Sequence, residues 1–383
     1  MAFEAVVLAG GLGTRLAPLT LVLPKPMIPI GGKPMIEYVF ERLRETNVKR
    51  IHVAARYLGH VIVAYYGGRT GDVVVHLLDS KDTADAVRLI GPHLERDDFV
   101  VTMGDVVSNI DFAELYEFHK RFNPLATIAL KEIDNPLQYG VVHVNEDGSI
   151  AVFLEKPRTM EIYMLNLAQY RLWGSVAYRN LINTGFYVFS PEILEILEEY
   201  TSLMDFGRHV FPYLLENHYS IKGFVLDENT YWNDVGRVET YFETTWDLLS
   251  GKIAGMYPSG RVISPGVYVD IEATISGEVD SPVYIGVRAE IAEGAKVGPY
   301  VDLEEDVFIG KCAMIKNSII WHRTRIGRGA LVENSIIMNE VEIGENVKVV
   351  NSIIGTGNRV VQDVINQVIL PKTTVNPYDS PKK

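Results

Sequence analysis

An N-terminal segment that reads LAGGLGTRLAPLTLVLPKPM carries residue types suited to binding an anion. It continues the apolar run AVVLA, and its glycines, Gly10, Gly11 and Gly13, let backbone N–H groups approach a phosphate closely. Arg15 supplies a forked cation suited to phosphate oxygens, and Lys25 stands between two prolines that stiffen the chain around it. The pattern predicts a loop that holds a triphosphate beside two fixed cations.

Other interpretations of this glycine loop fit less well. The dinucleotide fingerprint G-x-G-x-x-G requires a third glycine where Leu16 stands, and the P-loop requires Gly-Lys-Ser/Thr after a four-residue gap. A tight turn between a strand and a helix would need only one or two glycines. Thr14 adds a hydroxyl donor, so a phosphate cradle of a different kind remains the favoured hypothesis.

The opening LAGGLGTRLAPLT, continued by PKPMIPIGGKPMIEY, resembles that of the nucleotide-sugar pyrophosphorylases, also called sugar-1-phosphate nucleotidyltransferases. The resemblance extends along nearly the whole chain and is strongest to the mannose-1-phosphate guanylyltransferases. The adenylyltransferases of glycogen synthesis differ, because they carry Ala-Lys-Pro where this chain has Leu23-Pro24-Lys25-Pro26. The resemblance implies that an NTP and a sugar 1-phosphate react to give an NDP-sugar and pyrophosphate, most simply GDP-mannose from GTP and mannose 1-phosphate.

The resemblance also implies which residues form the nucleotide and metal sites. Asp105 ends the apolar run FVVTMGD, at the sheet edge where ligands bind in doubly wound folds, and Asp234 lies in TYWNDVG. Both match magnesium ligands of the family, although a helix N-cap or a turn would also account for Asp105. Arg15 and Lys25 join them as catalytic residues. The implied nucleotide-binding residues are Leu8, Ala9, Gly10, Gly11, Gly13, Thr14, Arg15, Thr83 and Gly104.

Three further segments, PLQYGVV, EKP and NTGFYVF, resemble the family's sugar-phosphate site. Alone, each is a weak signal, because a lysine is more often a solvated surface residue and an asparagine a turn residue. Their order along the chain strengthens all three. The glutamate of EKP would meet sugar hydroxyls and its lysine the phosphate. The implied sugar-phosphate residues are Tyr139, Gly140, Glu155, Lys156, Asn183 and Thr184.

The chain departs from the family pattern in two places. KDTADAV has Asp82 and Asp85 where the family has the glycines of a Gly-Thr-Ala-Gly loop under the nucleobase, so the resemblance does not fix the base. Residues 158–182 form an aromatic-rich insertion longer than is usual between EKP and NTG. Core packing, a lid over the sugar and a subunit contact all remain open for this segment.

The expected reaction needs no general base, since a sugar phosphate is largely dianionic at neutral pH, with a second pKa of about 6. One of its oxygens would attack the α-phosphorus in line, so that catalysis consists of positioning and charge neutralisation. Lys156 would hold the nucleophilic phosphate. Lys25 and Arg15 would stabilise charge on the α-phosphate and the leaving pyrophosphate.

Alternative functions follow from the same sequence. Within enzymes, the alternative is uridylyl, thymidylyl or adenylyl transfer to glucose 1-phosphate. A second alternative is a non-catalytic subunit that senses a nucleotide sugar, although such a subunit could dispense with the cations and carboxylates present here. Acyl transfer by the C-terminal part is disfavoured, because His322 lies in the regular repeat SIIWHRTRIG rather than in an insertion loop.

The elements that must position these residues change in pattern along the chain. Residues 1–250 alternate strand-like and helix-like runs, which predicts an α/β fold with a doubly wound, Rossmann-like parallel sheet as the nucleotidyltransferase domain. A hairpin is expected within it near 141–154, where VVHV and IAVFL flank the turn NEDGS. Residues 256–370 show a hexapeptide period that is typical of a left-handed β-helix. An irregular tail is expected over residues 371–383.

The hexapeptide period is carried by Ile285, Ile291, Val297, Leu303 and Ile309. Beyond them, Ile-Gly recurs at 309, 326 and 343, and Asn-Ser-Ile-Ile recurs at 317, 334 and 351, which is a spacing of 17 residues. Three six-residue sides would give 18, so one corner of each later coil should be a residue short. The flat sides and ends of such a solenoid favour association, which predicts a homo-oligomer.

Composition excludes several classes of protein. The formal net charge is −13, which disfavours a nucleic-acid partner, and the single cysteine, Cys312, permits no intrachain disulfide and fits a reducing compartment. The N-terminal MAFEAVVLAGG lacks the basic segment of a signal peptide, and no run suits a membrane span. We expect a cytoplasmic protein.

Overall fold

A computed structural model describes residues 2–67, 71–161 and 180–373. Most of the predicted insertion at 158–182 and most of the predicted tail at 371–383 therefore lie outside the described residues. Within the described ranges, no helix combines the length and apolarity needed to cross a lipid bilayer. The chain forms an α/β domain followed by a left-handed β-helix.

The α/β domain is built on strands whose residues are buried on both faces. In the first strand, FEAVVLA, alternate side chains enter two different cores: Ala5 and Val7 pack on one side of the sheet, and Val6 and Leu8 on the other. The strands are β1 (Phe3–Ala9), β2 (Pro29–Ile30), β3 (Lys33–Pro34), β4 (Val48–Ala55), β5 (Val73–Leu77), β6 (Phe99–Met103), β7 (Val106–Ser108), β8 (Ala126–Glu132), β9 (Gly140–Val144), β10 (Ile150–Glu155), β11 (Leu181–Phe189), β12 (Ile221–Val225) and β13 (Trp232–Asp234).

Helices cover both faces of this sheet, as a doubly wound fold requires. Their apolar residues recur at helical spacing, so each helix buries one side against the strands. The α-helices in the described residues are α1 (Met35–Arg44), α2 (Gly59–Tyr66), α3 (Thr83–Ile90), α4 (Phe112–Phe122), α5 (Glu192–Glu199), α6 (Phe211–Glu216) and α7 (Val238–Leu249). Short 3-10 turns span Thr14–Leu16, Leu19–Leu21, Lys25–Met27 and Gly91–His93, and a π turn spans Phe206–Val210.

The main sheet is mixed rather than wholly parallel. Strands β5, β4, β1 and β6 are adjacent and parallel, as the alternating pattern predicts. Beyond β6 the order continues through β11, β9 and β10, and β11 runs antiparallel to β6. The prediction of a parallel sheet is therefore wrong for this half. The physical reason is that β9 and β10 form a hairpin around the turn NEDGS, so no helical crossover makes them parallel.

The β-helix consists of short parallel strands stacked on three sides. The first side contains β14 (Arg261–Ser264), which is antiparallel, and then β15 (Val267–Val269), β18 (Val283–Ile285), β21 (Val301–Leu303), β24 (Ser318–Ile320), β27 (Ile336–Ile337), β30 (Ile353–Ile354) and β33 (Val368–Ile369). The second contains β16 (Thr274–Ile275), β19 (Glu290–Ile291), β22 (Phe308–Ile309), β25 (Arg325–Ile326), β28 (Glu342–Ile343) and β31 (Arg359–Val360). The third contains β17 (Glu278–Val279), β20 (Lys296–Val297), β23 (Met314–Lys316), β26 (Leu331–Glu333), β29 (Lys348–Val350) and β32 (Val364–Ile365).

The hexapeptide residues point into the β-helix and are buried, which confirms the period. The register also explains the change in spacing. Val283 pairs with Val301, 18 residues on, whereas Ile319 pairs with Ile336, 17 residues on. The short corner carries Asn317, Asn334 and their equivalent Asn351, each with a left-handed φ of 46–49°. Asparagine tolerates this conformation better than most residues, which accounts for its repetition there.

The first side of the β-helix packs against the α/β domain. Its outward-facing side chains Ile319 and Ile336 are buried in the same core as α1 and α7. The indole of Trp321 donates a hydrogen bond to the Tyr241 hydroxyl on α7 at 3.0 Å. The two parts of the chain therefore share one continuous apolar interface.

Candidate active site

The glycine loop connects the buried strand β1 to the first 3-10 turn. At Gly13, where φ is 60°, a Cβ would lie 2.8 Å from Thr20 Cγ2, so this position requires glycine. Thr20 Oγ1 donates to the Gly13 carbonyl at 3.0 Å and fixes the loop. A Cβ at Gly11, in contrast, would meet no atom of the described residues within 4 Å, so the loop opens there onto a cavity.

This first cavity has a volume of about 170 Å³ and lies at the carboxyl end of β1. Four of the predicted nucleotide residues do not line it: Gly13, Thr14, Arg15 and Gly104. The Gly104 N–H instead donates to the Leu8 carbonyl at 2.9 Å and joins the ends of β1 and β6. The predicted residues that do line the cavity are Leu8, Ala9, Gly10, Gly11 and Thr83, together with Lys25 and Asp105.

Lys25 is the most buried charged residue at this edge of the sheet among the predicted site residues, with 7% of its side chain exposed. Its Nζ lies 2.6 Å from Asp105 Oδ2 and 2.7 Å from Asp234 Oδ1. Burial lowers the pKa of the Lys25 ammonium, but the charges of Asp105 and Asp234 together outweigh burial and raise it above its ordinary value. Lys25 is therefore a fixed, fully charged cation.

Local folding brings the two carboxylates together from distant positions. Asp105 follows the end of β6, and the short strand β7 begins at Val106. Strand β13 pairs antiparallel with β7, and this pairing puts Asp234 opposite Val106. Arg15 approaches the same point from the glycine loop, with Nη2 3.8 Å from Asp234 Oδ2, but more than half of its side chain is exposed.

A second cavity of about 290 Å³ adjoins the first and shares Lys25, Thr83, Met103 and Asp105 with it. It is lined by the four predicted catalytic residues, Arg15, Lys25, Asp105 and Asp234, and by the six predicted sugar-phosphate residues, Tyr139, Gly140, Glu155, Lys156, Asn183 and Thr184. Two cavities with a lysine and two carboxylates at their junction suit two ligands that react with each other.

Glu155 ends strand β10 and Lys156 follows it, and both lie on one wall of the second cavity. Glu155 Oε1 lies 3.4 Å from Lys156 Nζ. Burial raises the pKa of the Glu155 carboxyl, Lys156 opposes this, and the nearby Asp205 adds to the rise. A Cβ on Gly207 would lie 2.6 Å from Glu155 Oε2, and one on Gly140 would lie 2.9 Å away, so a side chain at either position would displace this carboxyl from where it lies. Lys156 itself is largely exposed and free to reach a ligand.

Two predicted threonines have their hydroxyls committed within the protein. Thr184 Oγ1 donates to the Ala129 carbonyl at 2.7 Å, and Thr83 Oγ1 donates to Asp205 Oδ2 at 3.1 Å. Asn183 is also oriented, because its Nδ2 donates to the Tyr187 hydroxyl at 2.9 Å and its Oδ1 accepts from Gly185 N at 3.0 Å. These residues line the cavities while holding their walls in place.

The two aspartates that replace glycines at the start of α3 have structural partners. Asp82 caps α3, since its Oδ1 accepts the Thr83 N–H at 2.9 Å. Asp85 Oδ2 accepts the Lys81 N–H at 2.7 Å, and its carboxylate also pairs with Arg88. Asp82 lines the first cavity but Asp85 is not among its lining residues, so of the two only Asp82 faces the cavity.

Sequence reasoning missed several residues of the second cavity. Asp205 lines it and lies close enough to Glu155 to raise the pKa of that carboxyl, so the cavity wall carries two acidic groups. Trp232 packs edge-on against Tyr139, with ring centroids 5.3 Å apart, and its indole donates to the Thr184 carbonyl at 3.0 Å. Trp232 could have been found, because it lies two residues before Asp234 on one strand. Asp205 carries no comparable signal, since only the fold brings it to Thr83.

Asp105 and Asp234 are the predicted site residues that could hold a metal ion. Within the described residues no group of three or more His, Cys, Asp or Glu side chains is arranged to bind a metal ion by itself. The two carboxylates nevertheless converge on one point, the Lys25 ammonium. Two hard oxygen donors beside a phosphate site suit Mg²⁺, which completes its coordination with water and substrate phosphates.

Comparison with known proteins shows the same two-part organisation. Residues 4–251 match the family model described as nucleotidyl transferase, and residues 279–382 match that described as GMPPB C-terminal domain. The chain is 30% identical over 348 residues to a UTP--glucose-1-phosphate uridylyltransferase of Synechocystis sp., with 84% of each chain covered. It is 31% identical over 338 residues to the probable mannose-1-phosphate guanylyltransferase 3 of Oryza sativa subsp. japonica, covering 84% of this chain and 87% of that one. It is also 31% identical over 337 residues to the bifunctional protein GlmU of Methanococcus vannielii, covering 84% and 75%.

Proposed function

The chain belongs to the nucleotidyl transferase family, and from that premise we propose that it transfers a guanylyl group from GTP to mannose 1-phosphate, forming GDP-mannose and releasing pyrophosphate. The observation that supports this proposal best is the position of Lys25. It lies at the junction of two cavities, between two carboxylates at 2.6 and 2.7 Å. A fixed cation at that point meets the α-phosphate when the nucleotide occupies one cavity and the sugar phosphate the other.

The proposed reaction uses charge and position. The dianionic phosphate of the sugar, held by Lys156, presents one oxygen to the α-phosphorus. That oxygen forms a new P–O bond while the bond from the α-phosphorus to the β-phosphate oxygen breaks. The electron pair leaves with pyrophosphate, and no proton has to be removed from the nucleophile. Lys25, with its raised pKa, stays charged and stabilises the negative charge on the α-phosphate, while Arg15 covers the leaving group from the open side.

We propose that Asp105 and Asp234 bind Mg²⁺ when substrate is present. The two carboxylates already point to one place, and the oxygen donors are those that this ion prefers. When bound, the ion would supply additional positive charge at the transferring phosphate. The two carboxylates also hold the Lys25 ammonium in place.

We assign the base and the sugar from the opening segment and from Asp82. Relatives of similar identity are named as guanylyl and uridylyl transferases, so the alternative product is UDP-glucose from UTP and glucose 1-phosphate. The guanylyl proposal follows the resemblance of the opening segment to mannose-1-phosphate guanylyltransferases. Asp82 at the rim of the first cavity agrees with it, because a carboxylate can accept N–H groups of guanine. Uracil, in contrast, presents one N–H between two carbonyl acceptors.

A panel assay tests these assignments. The purified protein is incubated with Mg²⁺ and each pairing of GTP, UTP, dTTP or ATP with mannose or glucose 1-phosphate, and pyrophosphate release is measured, with Lys25→Ala as the control for contaminating enzymes. We expect the highest kcat/KM for GTP with mannose 1-phosphate. A preference for UTP with glucose 1-phosphate would select the alternative, and binding of an NDP-sugar without turnover of any pair would support a sensing subunit.

We further propose the division of labour between the two parts. Residues 1–250 would hold the catalytic site, and residues 256–370 would form the β-helix through which a homo-oligomer assembles in the cytoplasm. The flat sides of the β-helix that face away from the α/β domain support this. Sedimentation at micromolar protein should show a species larger than 42.9 kDa, the mass of one chain, and a monomer alone would exclude the assembly.

A further inference from the structure

The hairpin formed by β2 and β3 lies between the active site and the β-helix. It begins two residues after the 3-10 turn that contains Lys25, and Gly31 and Gly32 form its tip. The Ile28 N–H donates to the Lys25 carbonyl at 3.2 Å, and the Met35 N–H donates to the Ile28 carbonyl at 3.0 Å. The chain from Lys25 to the hairpin is therefore buried and tied at both ends by backbone hydrogen bonds.

Two acidic residues of the β-helix hold this tip. Asp302 Oδ2 accepts the Gly31 N–H at 2.8 Å, and Glu304 Oε1 accepts the Gly32 N–H at 3.1 Å. Both side chains are buried, Asp302 completely and Glu304 to within 1%. Buried carboxyl groups are costly unless they have partners, so their presence in an apolar interface requires an explanation.

Asp302 breaks an otherwise apolar pattern. On the first side of the β-helix, the register aligns the outward-facing residues Tyr284, Asp302, Ile319 and Ile336 on successive coils. All four are buried against the α/β domain, and three of them are apolar or aromatic. The acidic residue stands where the hairpin presents the Gly31 N–H group, which Asp302 accepts. Asp302, the acidic residue in this otherwise apolar row, is therefore the residue of the row that accepts a hydrogen bond from the hairpin.

The remaining polar groups of the tip are also fixed. The Tyr241 hydroxyl donates to the Pro29 carbonyl at 2.6 Å, the Tyr38 hydroxyl donates to the Ile30 carbonyl at 2.8 Å, and the Ser259 N–H donates to the Gly31 carbonyl at 2.8 Å. A Cβ on Gly32, where φ is 89°, would lie 2.0 Å from the Tyr284 hydroxyl oxygen. The tip is therefore enclosed between α1, α7, the β-helix and the segment around Ser259 that precedes the β-helix.

We infer that Asp302 and Glu304 are positioning residues for catalysis: by accepting the Gly31 and Gly32 N–H groups, they fix the hairpin whose chain carries Lys25 between Asp105 and Asp234. The β-helix then acts on the reaction through the catalytic lysine, in addition to any role in assembly. This inference rests on the proposed function for its kinetic consequence, but its structural part concerns only the position of Lys25.

The kinetic test compares three variants. Asp302→Val removes the acceptor and restores the apolar pattern, Asp302→Asn keeps an oxygen that can accept the Gly31 N–H, and Ile336→Ala weakens the same interface two coils away from the hairpin contact. For Asp302→Val we expect kcat to fall at least tenfold, with the KM of both substrates within twofold of wild type. Asp302→Asn should retain kcat within threefold. Ile336→Ala should lower the thermal midpoint but keep kcat within twofold.

Two kinetic results would overturn the inference. One is a folded Asp302→Val enzyme with kcat within twofold of wild type, and the other is a loss of kcat in Ile336→Ala equal to that in Asp302→Val. If Asp302→Val does not fold, Glu304→Met replaces it, because it removes the second acceptor with an unbranched apolar chain. Failure of both variants to fold would also contradict a positioning role, since the pair would then be needed for the fold itself.

A second readout does not depend on turnover. Reductive methylation followed by mass spectrometry measures the accessibility of each lysine amine, and Lys25 should react slowly in the wild type because it is buried between two carboxylates. Asp302→Val should raise the rate of Lys25 modification at least tenfold, whereas Ile336→Ala should leave it unchanged. If the wild type forms no NDP-sugar, the proposed function fails, but this labelling still decides the positioning claim. An unchanged Lys25 rate in Asp302→Val would reject it.

Discussion

At the scale of single residues, the two carboxylates around Lys25 are central to the proposed reaction. We predict that Asp105→Asn and Asp234→Asn each lower kcat about 10²-fold or more, because each removes negative charge from the proposed magnesium site and from beside Lys25. The amide has nearly the same shape as the carboxyl, so thermal unfolding should show an intact fold. Near-normal kcat with Mg²⁺ in either variant would remove that residue from the metal site.

The two lysines should differ in their kinetic effects. Lys25 is fixed and buried, with its pKa raised by two carboxylates, whereas Lys156 is exposed beside one. We predict that Lys25→Ala mainly lowers kcat, since Lys25 acts where charge develops, and that Lys156→Ala mainly raises the KM for the sugar 1-phosphate. Initial rates over both substrate concentrations distinguish these effects. The reverse pattern would exchange the proposed roles of the two residues.

Lys25 and Asp105 could be proposed from the sequence because each belongs to a local pattern. Lys25 stands in a proline-flanked run after the glycine loop, and Asp105 ends an apolar strand. Asp205 was missed because its place in the site depends on a contact with Thr83, 122 residues away along the chain. Asp302 was missed for a related reason: in the sequence it is one polar residue in a repeat, and its partner is a backbone N–H of the other domain.

At the scale of elements, the short corner of the β-helix can be tested by substitution. Asn334 has a φ of 48°, and its side-chain Nδ2 donates to Asn351 Oδ1 on the next coil at 3.1 Å. We predict that Asn334→Ala lowers the free energy of unfolding by about 1–2 kcal/mol, because alanine is strained in this conformation. Asn334→Gly should cost less, since glycine adopts it freely. Equal losses for alanine and glycine in urea unfolding would assign the effect to the side-chain ladder instead.

The same elements show what periodicity can and cannot predict. The six-residue spacing predicted the β-helix, because inward residues must recur at each side of a coil. The strand and helix alternation predicted the parallel half of the main sheet. It could not predict that β11 runs antiparallel to β6, because a buried strand has the same residue pattern in either direction. The turn NEDGS, in contrast, did predict the antiparallel hairpin of β9 and β10. The insertion at 158–182, for which the sequence leaves three interpretations open, lies mostly outside the described residues.

At the scale of the whole molecule, the interface between the two parts should respond to pH. Burial raises the pKa of the Asp302 carboxyl from 3.8 to about 7. Burial, and next the charge of Asp302, raise the pKa of Glu304 well above its ordinary value. The other titratable groups that face the pair are the hydroxyls of Tyr38, Tyr241 and Tyr284 and the imidazole of His322. Between pH 3.8 and about 7, the Asp302 carboxyl is therefore protonated in the folded protein and ionised in the unfolded chain.

The sign of the effect follows from that difference. The stabilisation associated with the Asp302 proton is complete below pH 3.8 and is lost as the pH rises through about 7. We predict that the free energy of unfolding of Asp302→Asn, minus that of the wild type, increases from pH 4 to pH 7 and is constant above. Taking the difference removes the contributions of groups that Asp302 does not affect, such as His322, whereas the change at Glu304 belongs to the difference because Asp302 raises the pKa of Glu304. A difference that is constant over the whole range would mean that Asp302 does not titrate in this window.

In the proposed reaction, an oxygen of the sugar phosphate attacks the α-phosphorus of the nucleotide. The most direct measurement uses a sugar 1-phosphate labelled with ¹⁸O in all its phosphate oxygens, together with the preferred NTP and Mg²⁺, and analyses both products by mass spectrometry. We predict that the NDP-sugar keeps every labelled oxygen, including the one that now bridges the two phosphorus atoms, and that the pyrophosphate carries none. Label in the pyrophosphate, or its loss from the NDP-sugar, would contradict nucleotidyl transfer at this site.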